Sequence, residues 1–311
     1  MSGQTGTMSS QRQRLLAHSS ATDTTIVVAG VATGVVTAGD GPPMVLLHGP
    51  GEFGGTWLPI LDELAGTHRV IAPDLPGHGA SDAPDGGIDS AFLAAWLSDL
   101  IAATCPTPPV LVGRVVGGAI AAEFAARHPD RIARLVLVDT MGLAPFDPDP
   151  RFGLALHRFL GDPSQGTYER LMDLCAFDLD SARGHLGDRW APYSGYAVEL
   201  ARDPRVQAAT GAMIGRYGAQ PLPPETLEAI AVPTTLIWGR EDAAIRLGVA
   251  EAASTRYGWP LLVVDGAGDD PPLDRPREFL AALHTALTTS DRPGSETATR
   301  SGALTPAAGV D

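Results

Sequence analysis

Short apolar runs, each about the length of a strand, recur along this chain at residues 43–47, 69–73, 109–112, 135–139 and 234–239. They are rich in Val, Leu and Ile and lack the polar alternation of a half-exposed strand. Strands of that kind are buried on both faces and belong to a mostly parallel sheet. Between them lie stretches with apolar positions at helical spacing, among them residues 119–128 and the amphipathic 276–287. The alternation predicts an α/β fold with a sheet flanked by helices on both sides.

Residues 142–222 interrupt this rhythm. They separate two strand runs and carry helical patterns of their own at 152–160 and 168–177. That predicts an inserted helical cap above the sheet edge where pockets of α/β proteins form. The core then consists of residues 23–141 and 223–289. Residues 1–22 and 290–311 are rich in small and polar residues without periodicity and are predicted to be disordered tails. Trp190, Tyr193 and Tyr196 cluster in the second half of the cap, as packing core or as a wall against a ligand.

The turn between the run at 109–112 and the next helix reads Gly113-Arg114-Val115-Val116-Gly117-Gly118. This is the frame of a nucleophile elbow, a strained strand-to-helix turn that lifts a serine into a site. Valine stands in the serine's place. Other motifs follow the strand runs in a fixed order: His48-Gly49-Pro50-Gly51, then Asp74-Leu75-Pro76-Gly77-His78-Gly79-Ala80-Ser81, then Trp238-Gly239-Arg240-Glu241-Asp242, then Gly266-Ala267-Gly268-Asp269. In order and spacing they resemble the α/β-hydrolase superfamily over residues 24–288.

The resemblance implies a site residue by residue. It puts the acid at Asp242, with Asp139 as an alternative acid position, and puts Asp269 where relatives carry histidine. It assigns oxyanion donors to the backbone after His-Gly and to the N–H of Val116. The first of these falls on Pro50, which has no N–H, so Gly51 has to substitute. A valine has no lone pair, and a triad without serine or histidine keeps only roughly 10³–10⁴ over water. The expectation is a degenerate triad without acyl-enzyme hydrolysis. Asp242 and Asp269 are expected to approach each other as a carboxyl pair with a raised pKa, serving as a base. The other reading of residues 269–272 is a solvated turn. His157, on a helical pattern in the cap, is a further candidate base, whereas His48 and His78 sit in loops that are structural in relatives.

Composition removes several other chemistries. A chain of 311 residues suffices for one α/β core plus a cap. All 22 basic residues are arginine, so no lysine can form a Schiff base or hold pyridoxal phosphate. A formal charge of −14 argues against nucleic acid as a partner. Cys105 and Cys175 read as two reduced thiols, and the eight histidines are too scattered for a metal site. No Gly-rich dinucleotide motif opens a helix, and no apolar stretch approaches the ~20 residues that span a bilayer. These readings predict a cytoplasmic protein with no cofactor, metal or membrane partner; nothing in the chain fixes its oligomeric state.

A dry pocket with a carboxyl base and no nucleophile fits cofactor-independent oxygenation, with O₂ as co-substrate. The substrate expected is a small-molecule aromatic, an electron-rich polycyclic phenol or hydroquinone. In this the chain resembles cofactor-independent oxygenases of the same fold. It also resembles tailoring enzymes of bacterial aromatic polyketide and anthraquinone-fused enediyne pathways, which places it in antibiotic biosynthesis. The alternatives are a non-redox cyclase, isomerase or lyase using the same carboxylates, and a non-catalytic ligand-binding pseudoenzyme.

Overall fold

The computed structural model describes residues 10–17 and 19–288. One sheet holds eight strands: β1 (Thr22–Val28), β2 (Val31–Ala38), β3 (Pro43–Leu47), β4 (Arg69–Pro73), β5 (Val110–Arg114), β6 (Arg134–Val138), β7 (Thr234–Gly239) and β8 (Leu261–Val264). Their order is β1-β2-β4-β3-β5-β6-β7-β8. The β1–β2 and β2–β4 pairs are antiparallel and all the others are parallel. Burial follows the hydrophobic pattern: β3 and β7 are buried throughout, whereas edge strand β1 is mostly accessible. Continuous apolar runs occupy the centre because only there are both faces covered.

Before the sheet comes α1 (Ser10–Leu16). The other core helices are α2 (Leu58–Ala65), α3 (Ser90–Thr104) and α4 (Val116–Arg127). The cap, between β6 and β7, comprises α5 (Pro150–Gly161), α6 (Gln165–Cys175), α7 (Leu179–Leu186), α8 (Trp190–Arg202) and α9 (Pro204–Ala219). The chain then continues through α10 (Pro224–Glu228), α11 (Leu247–Tyr257), α12 (Pro271–Asp274) and α13 (Pro276–Thr288). The amphipathic spacing of α13 buries Phe279, Leu283 and Ala286. Side-chain caps open the cap helices: Asp149 accepts from the Arg151 N–H, and Ser164 with Thr167 forms a capping box. Cap helix α9 is tied to α4 through Glu123, which accepts from Arg216 at 3.1 Å and from the Tyr217 hydroxyl at 2.9 Å. Among the described residues no helix is long and apolar enough to cross a membrane.

The expected tail over residues 1–22 is corrected in its second half. Arg12, Leu15 and Leu16 are buried on one face of α1, and β1 starts at Thr22. Three inward positions at helical spacing outweigh the polar composition around them. Residues 1–9, and with them the tail expected at 290–311, lie outside the described residues.

The turn from β5 into α4 keeps the geometry of an elbow without its usual occupant. Val115 has φ 50° and ψ −113°. For a β-branched residue this is a strained conformation, costing about 1–3 kcal/mol. Its neighbours impose it. The Val115 N–H donates to the Val138 carbonyl at 3.2 Å, and the Met141 N–H donates to the Val115 carbonyl at 3.1 Å. A Cβ on Gly113 would run into the Gly117 carbonyl, and one on Gly117 into the Leu47 carbonyl.

Candidate active site

A cavity of about 150 Å³ lies between the cap and the sheet. Helix α5 contributes Phe152, Leu156 and Phe159, α6 contributes Leu171, Met172 and Cys175, and α8 contributes Tyr193 and Ala197. Pro50, Gly51, Glu52, Arg114, Val115, Asp269 and Asp270 line the core side. An apolar cavity of similar volume holds one benzene ring.

The structure brings Pro50, Gly51, Val115, Tyr193 and Asp269 to the cavity, and it separates several other expected residues from it. His157 is exposed on the outer face of α5, because Phe152, Leu156 and Phe159 define the inward stripe and the next residue points away. It is not a base for this pocket. Trp190 backs the wall without forming it, stacking on Tyr193 at 6.0 Å and lying 6.4 Å from Tyr168. Tyr196 turns away to meet Phe53 edge-on at 4.7 Å. Val116 is fully buried, and only its backbone is relevant: as the first residue of α4 its N–H lacks an intrahelical acceptor.

Asp139 and Asp242 lie beneath the cavity, both buried. Asp139 Oδ1 accepts the Gly239 N–H at 2.9 Å, and Asp242 Oδ1 accepts the N–H groups of Ala244 and Ile245 at 2.7 and 2.8 Å. The remaining oxygen of each, Oδ2, is buried without a protein donor among the described residues. The two carboxyls act on each other's ionisation, and burial together with that mutual charge favours a proton held on the pair. Asp139 is the partner held well above the usual carboxylate range, by burial and the charge of Asp242, while burial brings Asp242 to about 7. The carboxyl pair is therefore Asp139–Asp242, with Asp269 beside it within the electrostatic reach of Asp242.

Residues 269–272 are not a solvated turn. Burial and the charge of Asp242 push Asp269 up to about 7, and burial pushes Asp270 to about 8. The Cys175 thiol donates to the Asp269 side chain and is itself pushed up, first by burial and then by that carboxylate. The loop is laced to the end of α6: the Asp269 N–H donates to the Cys175 carbonyl at 3.1 Å, while Asp274 Oδ2 accepts from Phe177 N–H at 3.0 Å and from Gly268 N–H at 2.7 Å.

Arg114 is the counter-charge of the site, and the sequence reading passed over it. Its Nη2 reaches both oxygens of Glu52 at 2.5 Å, and its Nη1 donates to the Asp269 carbonyl at 3.1 Å and lies 3.3 Å from Asp270 Oδ2. Burial opposes the guanidinium charge, but Asp270, Glu52 and Asp269 outweigh it and raise its pKa. A signal was present, since an arginine closes the apolar run just before the elbow. Glu52, Asp270 and Cys175 gave none, being distant in the chain. His48 and His78 are structural: the Leu75 N–H donates to His48 Nε2, and burial lowers both rings to about 3. Among the described residues no group of three His, Cys, Asp or Glu side chains could hold a metal ion.

These buried acids set a pH dependence of stability. Asp242, Asp269 and Asp270 titrate near 7–8 when folded, against about 3.9 when unfolded. Between those values the folded state binds more protons, so stability is full below about pH 4 and is lost as pH rises to about 8. The protein is expected to melt at a higher temperature at pH 5 than at pH 8, by on the order of a few kcal/mol of stability. Calorimetry at the two pH values checks this; a higher melting temperature at pH 8 contradicts it.

The model of the alpha/beta hydrolase fold family matches residues 42–276. The chain belongs to that family. It is 32% identical over 269 residues to a pimeloyl-[acyl-carrier protein] methyl ester esterase of Chromobacterium violaceum, covering 82% of this chain and 98% of the relative. It is 30% identical over 236 residues to a 2-hydroxymuconate semialdehyde hydrolase of a Pseudomonas species, covering 71% and 78%. Among solved structures, a 2-hydroxy-6-oxo-6-phenylhexa-2,4-dienoate hydrolase of Rhodococcus superposes with a TM-score of 0.73 at 25% identity, covering 86% and 100%. These names overturn the expectation of a cofactor-independent oxygenase, with its oxidoreductase chemistry, O₂ co-substrate and place in antibiotic biosynthesis. They point to hydrolysis, and the cyclase and pseudoenzyme alternatives give way with it. Loss of the serine removes a nucleophile but supplies no redox chemistry. The family is typically cofactor-independent.

Proposed function

We propose that the protein hydrolyses a small apolar ester by direct attack of water, with Asp269 as the general base. The observation that carries this is the placement of Asp269, which lines the same cavity as Gly51 and Val115 where the family's histidine is expected, with burial raising its carboxyl to about 7. A base is most effective when its pKa lies near the working pH, and burial gives this carboxyl the range of an imidazole. Aspartate is shorter than histidine, so the room left toward Val115 suits one water molecule. That water attacks the carbonyl carbon and its proton passes to Asp269. The oxyanion forms against the N–H groups of Gly51 and Val116, and its collapse expels the alcohol, which takes the proton back from Asp269. The Asp139–Asp242 pair beneath keeps Asp269 partly protonated at neutral pH by its charge. The cavity fits an acyl or aryl group about the size of one benzene ring, and the relatives' names, a methyl ester esterase and a hydrolase of a phenyl-bearing dienoate, agree with that class.

General-base catalysis contributes typically about 10²–10⁴, so activated esters are the substrates to use. Nitrophenyl acetate or benzoate is expected to be hydrolysed with a rate rising through about pH 7 to a plateau, without a burst. Asp269→Asn is expected to lower the rate about a hundredfold while the protein stays folded. A wild-type rate equal to that of buffer, or an unchanged rate in Asp269→Asn, sinks the reading.

A further inference from the structure

We propose that Arg12, on the N-terminal helix α1, is a positioning residue that fastens the oxyanion loop and cap helix α8 to each other. The family match begins at residue 42, so α1 stands outside the shared core. Arg12 is nevertheless completely buried. Its Nε and Nη2 hold both oxygens of Asp23 at 2.8 Å, and its Nη1 holds Asp74 Oδ2 at 2.8 Å. Asp74 in turn accepts the Gly54 N–H at 2.6 Å and the Ala80 N–H at 2.7 Å. Gly54 opens the turn that follows Gly51, Glu52 and Phe53, all three at the cavity.

The same guanidinium lies 5.4 Å over the ring of Phe53, whose edge meets Tyr196 of α8. Tyr196 also hydrogen-bonds to Arg12 through its side chain. Next to it, Gly195 lets the Gln11 side chain come close to α8. One cation thus holds a loop that carries an oxyanion donor and a helix that carries Tyr193 on the cavity wall. Phe53 of the loop and Tyr196 of α8 also touch directly, and Arg12 adds a buried contact to each of them. With Arg12 removed, Asp74 is a buried carboxylate without a counter-charge, and its hold on Gly54 loosens.

The inference rests on the hydrolytic reading only for its activity arm. Arg12→Met, Arg12→Lys and Asp23→Asn are compared with the wild type by backbone hydrogen exchange and by ester hydrolysis. Arg12→Met is expected to speed exchange in residues 49–57 and 190–202 together and to lower kcat about tenfold to a hundredfold, the scale of a small misplacement. Arg12→Lys keeps a charge beside Asp74 but loses the planar fork, and it is expected to fall between the two. Should Arg12→Met fail to fold, Arg12→Lys decides. Asp23→Asn loosens the β1 side alone and is expected to lower the melting temperature with kcat unchanged. Faster exchange confined to α1, or a normal kcat in Arg12→Met, overturns the proposal. If the wild type hydrolyses nothing, the hydrolytic reading falls and the exchange arm still decides this one.

Discussion

Val115→Ser combined with Asp269→His is expected to convert the site into an acyl-enzyme hydrolase with a stoichiometric burst of nitrophenol. The elbow backbone already holds its strained turn, Asp242 is buried beneath the cavity, and the cavity is formed. On the reading proposed above, the double variant adds the two reagents that this arrangement lacks. Removal of serine or histidine from such a triad costs about a millionfold, so a gain of about a hundredfold or more over the wild type is a conservative expectation. Val115→Ser alone is expected to gain little, because the Asp269 carboxylate is too short to take a proton from the serine directly. Stopped-flow release of nitrophenol and the intact mass of the acylated protein measure both variants. Pro50 limits the oxyanion hole, so the double variant is expected to acylate faster than it deacylates. Absence of any burst in the double variant shows that the elbow no longer aims into the cavity.

Arg114→Met is expected to destabilise the fold by about 3–5 kcal/mol, the range for removing one partner of a buried ion pair. Asp270 then loses its counter-charge where burial holds it away from water, and Glu52, 27% exposed, loses its ion-pair partner. The loss is expected to be larger at pH 8 than at pH 5, because the Asp270 carboxyl, pushed up to about 8 by burial, is protonated at the lower pH. Urea unfolding at the two pH values separates this from simple loss of packing, which carries no such dependence. Arg114→Lys is expected to recover only part of the loss, since an ammonium cannot hold both oxygens of Glu52 and reach Asp270 as the guanidinium does.

The sheet and the elbow were readable because their signals are local. Residues 234–239 carry no charge and centre on Leu236-Ile237-Trp238, and β7 is buried throughout; the Gly-rich frame around Val115 admits few other turns. The cap site was harder. The position of Phe152, Leu156 and Phe159 on α5 decides which way His157 points, and a lone histidine on a helical pattern did not reveal that it falls between two inward positions. Glu52, Arg114, Cys175 and Asp270 meet only because the parallel sheet gathers its loops at one edge. Arg12 was missed for the opposite reason. A charged residue among serines and glutamines reads as solvated, and only the fold shows that two aspartates from separate segments wait for it. Valine at the elbow points away from acyl-enzyme chemistry but not toward oxygen, and the fold family and the named relatives are those of hydrolases.

The lacing between α6 and the last loop ties the cap to the candidate base. Asp269 is bonded through its N–H to the carbonyl of Cys175, the last residue of α6, and Asp274 grips the next stretch of the cap. A displacement of the end of α6 therefore carries the Asp269 backbone with it. The placement of the cap over the cavity and the placement of Asp269 at its floor are therefore set together by the same bonds.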